Sequence, residues 1–220
     1  MITFERDTRE RIRSKAEEMF IKWGVRSVSM DDIANALGAS KKTLYQYFSD
    51  KDELVEAVIA QILGENQTSC ENDRVAASNA VEEIFKAMEM VQTMFRNMNP
   101  SVLYDLQKYH PKAFARFLKH KNDYLYSVVR SNLERGIREE LYRPDINVEL
   151  LSRFRLESMM MPFNPEFLSR QKNNFAEIHQ KIMEHFLYGV ASLKGHKLIL
   201  KYQHEREKKD TKHETGSKIK

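Results

Sequence analysis

Between positions 38 and 50 the chain reads GASKKTLYQYFSD, and most of its hydrogen-bonding side chains fall within seven residues. Set at helical spacing, Leu44 and Phe48 lie four apart on one face and must point inward. Lys42, Thr43 and Gln46 then occupy the opposite face, with Lys41, Tyr45 and Tyr47 along its two edges. Ammonium, hydroxyl and amide groups on one narrow rod can donate to phosphate oxygens and to base edges. The flanking phenols are rigid and can reach backbone oxygens on either wall of a groove. The chemistry open to this face is recognition of a nucleic acid.

A helix of two turns is marginal in water, so other elements must hold it. Before it, Ser29 precedes MDDIANAL, whose buried positions are Ile33, Ala34 and Leu37. Asp32, three residues after Ser29, makes a weakened capping box, because Asp replaces the usual Glu or Gln. Gly38 ends that helix and Ser40 caps the next. Helix, short glycine-containing turn, second short helix is the layout of a helix-turn-helix, whose second helix enters the major groove. Upstream, Ile12, Ala16, Met19, Phe20 and Trp23 form an amphipathic stripe closed by Gly24; downstream, Leu54, Val55, Val58, Ile59 and Ile62 form another. The stretch GENQTSCENDR, 64–74, is polar and turn-rich and is expected to end the N-terminal module.

The segment SMDDIANALGASKKTLYQYFSDKDELVEAV resembles the N-terminal signature of TetR-type transcriptional regulators. The resemblance rests on Ile33, Ala34, Gly38, Ser40, Thr43, Leu44, Tyr45, Tyr47, Phe48, Lys51 and Leu54 at fixed spacings, and it spans roughly residues 8–62. It implies phosphate contacts from Ser29, Thr43, Tyr45, Tyr47 and Lys51, with Lys41, Lys42 and Gln46 at the family's variable base-facing positions. Asp31 and Asp32 depart from members that carry a basic residue there. Acids repel phosphate, so base contact from that helix is not expected. The resemblance further implies a C-terminal helical domain that dimerises and holds an effector, and a pseudo-palindromic double-stranded DNA operator. The domains expected are 1–63 for DNA binding, with the helix-turn-helix proper at 29–48, then 64–200 for ligand binding and dimerisation.

The rest of the chain has helical period throughout, so the expected fold class is all-α. Helices are predicted over 75–95, within SVLYDLQKYH, and over 112–137, 148–161 and 166–193. In the last, Leu168, Gln171, Phe175, Ile178, Ile182, Phe186, Gly189 and Leu193 follow alternating three- and four-residue steps, the seam of a bundle made with a second subunit. Met88, Phe95, Tyr104, Phe117, Tyr124, Phe154 and Met159 are the candidates for an apolar small-molecule pocket, methionine being compliant and tyrosine able to orient a ligand.

Charge adds little. The net charge is +4, but residues 194–220 hold nine Lys or Arg against four Asp or Glu, which leaves −1 for everything before them. The basic residues sit in a polar tail, 201–220, expected to be disordered. The seven histidines never fall at i, i+4 and there is no CxxC, so no metal or other cofactor is expected. No catalytic set or glycine-rich phosphate loop appears, which argues against an enzyme. A single cysteine, Cys70, and the lack of any run of ~18 apolar residues point to a cytoplasmic protein with no membrane association. The reading is a homodimeric, ligand-responsive repressor. The alternatives are a helical-bundle protein that binds partners or ligands without DNA, and an activator or co-repressor-dependent regulator of the same fold.

Overall fold

The computed structural model describes residues 2–169 and 174–216, with side chains at 7–168 and 174–208. Its helices are α1 Ile2–Trp23, α2 Met30–Leu37, α3 Lys41–Tyr47, α4 Lys51–Ala76, α5 Ala80–Phe95, α6 Val102–Tyr109, α7 Pro111–Lys119, α8 Tyr126–Arg138, α9 Val148–Ser158, α10 Pro165–Ser169, α11 Phe175–Val190 and α12 Leu193–Gly216. A π-helical turn, His120–Leu125, joins α7 to α8, and a 3-10 turn, Met161–Phe163, follows α9. The fold is all-α; among the described residues the only extended pairing is an isolated antiparallel bridge between Tyr142 and Ala191.

Two apolar cores organise these helices. The first gathers Ile12, Phe20, Ile33, Leu44, Phe48, Leu54 and Val58 from α1 to α4 and the loop after α3, and is completed by Val102, Leu106 and Ala113 of α6 and α7. The second is built from α5, α8, α11 and α12 around Val81, Met88, Leu133, Leu187 and Ile199, with Leu141 and Tyr142 from the loop after α8. Each fully buried Leu, Ile or Phe contributes ~1.5–3 kcal/mol relative to exposure, and that burial, more than propensity, holds the short helices.

Several boundaries differ from the sequence expectation. Helix α4 does not stop at Gly64 but continues to Ala76, so 64–74 is helix and the expected division at 63/64 falls inside it. The polar residues there satisfy one another along the helix: Gln67 donates to Glu71, and the Thr68 hydroxyl donates to the Gly64 carbonyl. The break comes instead at 77–79, where Asn79 accepts from the Glu82 N–H and starts α5 afresh. Val75, expected inside the next helix, is exposed at the end of α4. Helices α6 and α7, expected in the C-terminal domain, lend their apolar faces to the first core. The helix expected over 166–193 is interrupted, with Asn174 capping α11 and Ala191 extended at its end. The expected disordered tail continues α12 to Gly216; Arg206 fastens it by donating to Gln92 and Gln180. Positions 217–220 of that tail lie outside the described residues.

Polar fastenings mark the corners. Arg135 reaches Glu139 and Glu83 at 2.7 and 3.0 Å and donates to the Ala77 carbonyl, tying α8 to the α4–α5 break. The loop after α8 folds back so closely that a Cβ added to Gly136 would stand 2.0 Å from the ring of Tyr142. That ring is fully buried, and its hydroxyl lies within hydrogen-bond reach of the Ala80 carbonyl and Asn132. Gly136→Ala is therefore expected to destabilise the protein by ~1–3 kcal/mol through overpacking. Gly64, exposed in α4 with nothing within 4 Å of an added Cβ, should behave oppositely. Gly64→Ala should stabilise by ~0.5–1 kcal/mol through backbone entropy. Thermal unfolding of both variants checks the pair; equal effects would contradict the packing described.

Candidate functional site

The probe helix α3 stands on α2 and α4. Ser29 caps α2 with a complete capping box: its hydroxyl accepts from the Asp32 N–H, and its own N–H donates to the Asp32 carboxylate at 2.8 Å. The box is stronger than the Asp substitution suggested. Gly38 then turns the chain with φ +63°, a left-handed conformation that glycine adopts without strain. Ser40 accepts from the Thr43 N–H and starts α3. Leu44 and Phe48 are sealed in the core, whereas Lys41, Lys42, Tyr45 and Gln46 are exposed, with Thr43 and Tyr47 half-buried at the edges. The inward face is the expected one, while Thr43, expected outward, is half-buried and Tyr45, expected at an edge, is exposed.

Three candidate contacts carry ties of their own. The Ser29 hydroxyl also donates to Asp32 at 2.6 Å, which holds that carboxyl below its usual range. Lys51 departs furthest from expectation. Its ammonium turns inward, half-buried, and donates to the Val25 carbonyl at 2.6 Å beneath the Phe20 ring, and burial lowers its pKa. It fastens the turn after α1 before it does anything else. Lys41 is bound by Asp31 at 2.8 Å across the face of the motif, which raises the lysine's pKa. Thus Asp31 does more than repel phosphate: it masks the first cation of α3.

Behind this face, α6 clamps the α1–α2 turn. Asp105, buried, accepts from the Arg26 N–H at 2.9 Å, and the Asn99 N–H donates to the Ile21 carbonyl at 2.7 Å. His110, buried at the α6–α7 junction, bonds Asp52 in the first turn of α4. Sequence spacing gave no sign of these ties, since they join residues 58 to 79 positions apart.

The pocket candidates do not converge. Met88 is part of the second core, and Phe95 belongs to a ring cluster with Phe163, Phe175 and His179. Tyr104 is exposed on α6 beside Lys108. Phe117 stacks on Phe114 at the edge of the first core, while Tyr124 packs on His120 and donates to the Gln67 carbonyl of α4. Phe154 is half-exposed on the side of α9 that faces α11, where it stacks on Phe186, and Met159 is half-buried at the end of α9. The apolar period marks the inward side of each helix but not which neighbour it meets.

The expected dimer seam also divides. Phe175, Ile178 and Phe186 are buried within the chain itself, Ile178 at the floor of an open groove. Leu168 and Ile182 are half-buried, Gly189 and Leu193 are exposed, and Gln171 lies outside the described residues. What α9 and α11 leave open is a groove of about 540 Å³ lined by Phe154, Met161, Phe167, Ile178, Ile182 and His185, among others. Leu150, Phe154 and Met161 extend this apolar surface along α9 and the turn after it.

Three functional candidates were missed altogether. Lys121, Arg155 and His179 are charged or titratable residues buried in the C-terminal helices. Each sits on the apolar stripe of its helix, four residues from Phe117 and Leu125, from Leu151 and Met159, and from Phe175 and Met183 respectively. A polar residue at a stripe position is the signal that finds them. Lys121 pairs with Glu157 at 2.7 Å. Arg155 has one long contact to Ser158, at 3.5 Å, and burial pushes its guanidinium down to about 10, so it stays charged at neutral pH. His179 has neither ring nitrogen hydrogen-bonded among the described residues; burial, with Arg155 nearby, lowers its pKa to about 3 and keeps it neutral.

Comparison with known proteins bears on this geometry. Residues 12–58 match the profile of bacterial regulatory proteins of the tetR family. The chain is 28% identical over 173 residues to the HTH-type transcriptional regulator YvaF of Bacillus subtilis, covering 76% of this chain and 87% of that one. It is 24% identical over 142 residues to the HTH-type transcriptional repressor KstR2 of Mycobacterium tuberculosis, covering 63% and 71%. Among solved structures it is similar to a TetR-family transcriptional regulator from Agrobacterium tumefaciens, with a TM-score of 0.71 at 16% identity over 86% of this chain and 100% of that one.

The masking of Lys41 yields a test. Asp31→Asn should free its ammonium to neutralise one further phosphate, tightening binding to all duplexes alike and steepening the salt slope by about one unit per half-site. Fluorescence titration across a salt series measures this; an unchanged slope would show that the freed Lys41 ammonium reaches no phosphate.

Proposed function

From membership of the TetR family of helix-turn-helix transcriptional regulators, to which this chain belongs, we propose that it is a homodimeric repressor of a pseudo-palindromic operator. A small molecule taken up by the C-terminal helices releases it. As a family member it is a DNA-binding regulator and not an enzyme. The observation that carries the reading is α3, sunk on one face by Leu44 and Phe48 and presenting Lys42, Tyr45 and Gln46 on the other. Lys42 and Gln46 are the base readers, with Lys41 at the third base-facing position engaged by Asp31; Thr43, Tyr45 and Tyr47 hold the backbone. Repression is supported by the likeness to KstR2, itself named a repressor. Among the described residues no helix is long and apolar enough to cross a membrane.

The switch has a physical route. Helices α6 and α7 belong to the first core, yet α7 runs through the π-helical turn into α8 of the second. That turn holds α4 through His120 to Asn66 and Tyr124 to Gln67, and holds α9 through Lys121 to Glu157. A ligand acts on DNA only by its different affinity for the two arrangements of the half-sites. The coupling is usually ~1–3 kcal/mol. Pairing across the α9–α11 groove accounts for an apolar surface that a monomer would leave in water. Two-fold symmetry then sets half-site centres about 34–36 Å apart, or a multiple of that.

Protection footprinting on DNA flanking the protein's own gene identifies the operator. On it, Lys42→Ala and Gln46→Ala should each relax sequence preference, losing ~1–3 kcal/mol of discrimination per base contact. Parent-like preference in both would move base reading off α3. For the dimer, Ile182→Asp places an unpaired charge in the seam, and sedimentation equilibrium should show monomer where the parent shows dimer. A parent that is monomeric at micromolar concentration would refute the assembly. Tighter operator binding in the presence of effector would instead make the protein co-repressor-dependent.

A further inference from the structure

Among the described residues of the C-terminal half two cations are buried, Lys121 and Arg155, and only the first has a carboxylate partner. Lys121 faces Glu157, and Arg135 faces Glu83 and Glu139. Arg155 is as buried as Lys121, yet no carboxylate among the described residues approaches it. Among the described residues its guanidinium has one polar contact, the 3.5 Å approach to Ser158, and lies 5.9 Å from the Phe186 ring. A guanidinium carries five donors in a planar fork that fits an oxyanion bidentately. An isolated charge buried among apolar groups is costly, and replacing such a group by an apolar one of similar size is often stabilising. Stability alone therefore does not account for an arginine at this position.

Its surroundings supply the rest of a binding site. His179 is completely buried and has two unbonded ring nitrogens, one of which, in the neutral ring, is a donor. The same imidazole meets Phe95 edge-on at 5.1 Å, and Phe95 packs on Phe163 and Phe175 at 5.6 and 4.8 Å. A polar end made of one cation and one neutral donor thus adjoins an aromatic end. We propose that the effector is an organic carboxylic acid, bound as its anion with the carboxylate on Arg155 and His179 and its apolar body between Phe95, Phe163 and Phe175. One guanidinium balances one negative charge. A phosphate dianion would leave excess charge among phenylalanines, and an alcohol or amine would leave Arg155 unneutralised.

The position also explains how such an acid reaches the DNA end of the molecule, and in this the inference rests on the ligand-release reading above. Phe95 is the last residue of α5, Phe163 closes the 3-10 turn and Phe175 opens α11. An apolar body wedged among the three rings displaces the end of α5. Four residues further on, the Asn99 N–H is held by the Ile21 carbonyl of α1, and Asp105 holds the Arg26 N–H. The wedge therefore pulls on the turn that carries α2 and α3.

Calorimetric titration of the full-length protein, without DNA, tests the assignment using probes that share a body and differ in the head: decanoate, decanol, decylamine and decyl phosphate, with 4-phenylbutyrate and 4-phenylbutanol as a second body. The carboxylates should bind at least about tenfold more tightly than the matching alcohols, as a charge-assisted bidentate contact implies. Decylamine and decyl phosphate should bind more weakly than decanoate. Arg155→Met should abolish the preference for carboxylate and raise the melting temperature of the free protein; Arg155→Gln serves if the methionine variant does not fold. Failure of both acids to bind, a parent that prefers another head, or a variant that keeps the carboxylate preference would each overturn the proposal. An acid that binds as expected but leaves operator affinity unchanged would refute ligand release and leave this assignment standing. A neutral compound that releases the DNA would do the reverse.

Discussion

Helix α3 is seven residues long, and its shape depends on Leu44 and the adjoining Phe48 being sunk into a core that it did not make. Alone it would not stay folded, since nucleating a helix costs more than two turns return. Ile12, Phe20, Ile33, Leu54 and Val58 complete that core from three other helices. The recognition face is the far side of a hydrophobic contact. Side chains on α3 can face outward because the two that face inward hold it in place. Ser29, Gly38 and Ser40 set where α2 and α3 begin and end, so that the inward pair arrives at the core in register.

The same first core is shared with α6 and α7, and this makes the DNA-binding end and the C-terminal helices one mechanical unit. Buried Asp105 and His110 and the Asn99 backbone fasten α6 to the turn after α1 and to the start of α4. Such polar ties are directional, unlike apolar packing, and they transmit a displacement rather than absorb it. Helix α4, unbroken from Lys51 to Ala76, is the second connection. A regulator of this build needs both: an apolar interface that keeps the recognition helix rigid, and polar ties through which a movement elsewhere changes its position.

Charge is arranged by the same logic of compensation. On the surface, Asp31 occupies Lys41, and Lys51 is spent on a carbonyl, so much of the positive charge near α3 is already engaged within the chain. In the interior, Lys121 has a carboxylate partner, which offsets part of the cost of burying it, as does half-buried Arg135. Arg155 stands out against this pattern because among the described residues no anion faces its buried guanidinium.

The sequence alone determined the local features. Capping residues, glycine turns and the four-residue spacing of Leu44 and Phe48 act within one or two turns, so α1 to α3 and the two faces of the motif were legible from residues 8–62. Long apolar stripes likewise gave the all-helical class. Tertiary structure decided what depends on partners distant in the chain. The turn-rich composition of 64–74 was overridden by packing and by side-chain bonds along α4, whereas the real break was set by Asn79 and fixed by Arg135 from α8. Helical period identified Phe175, Ile178 and Phe186 as apolar-facing, but an apolar face is written the same way whether it meets its own chain or a second one. The pocket candidates lie apart for that reason too. Arg155 and His179 could be placed only once α5, α9 and α11 were brought together, because burial is a property of the neighbours and not of the residue.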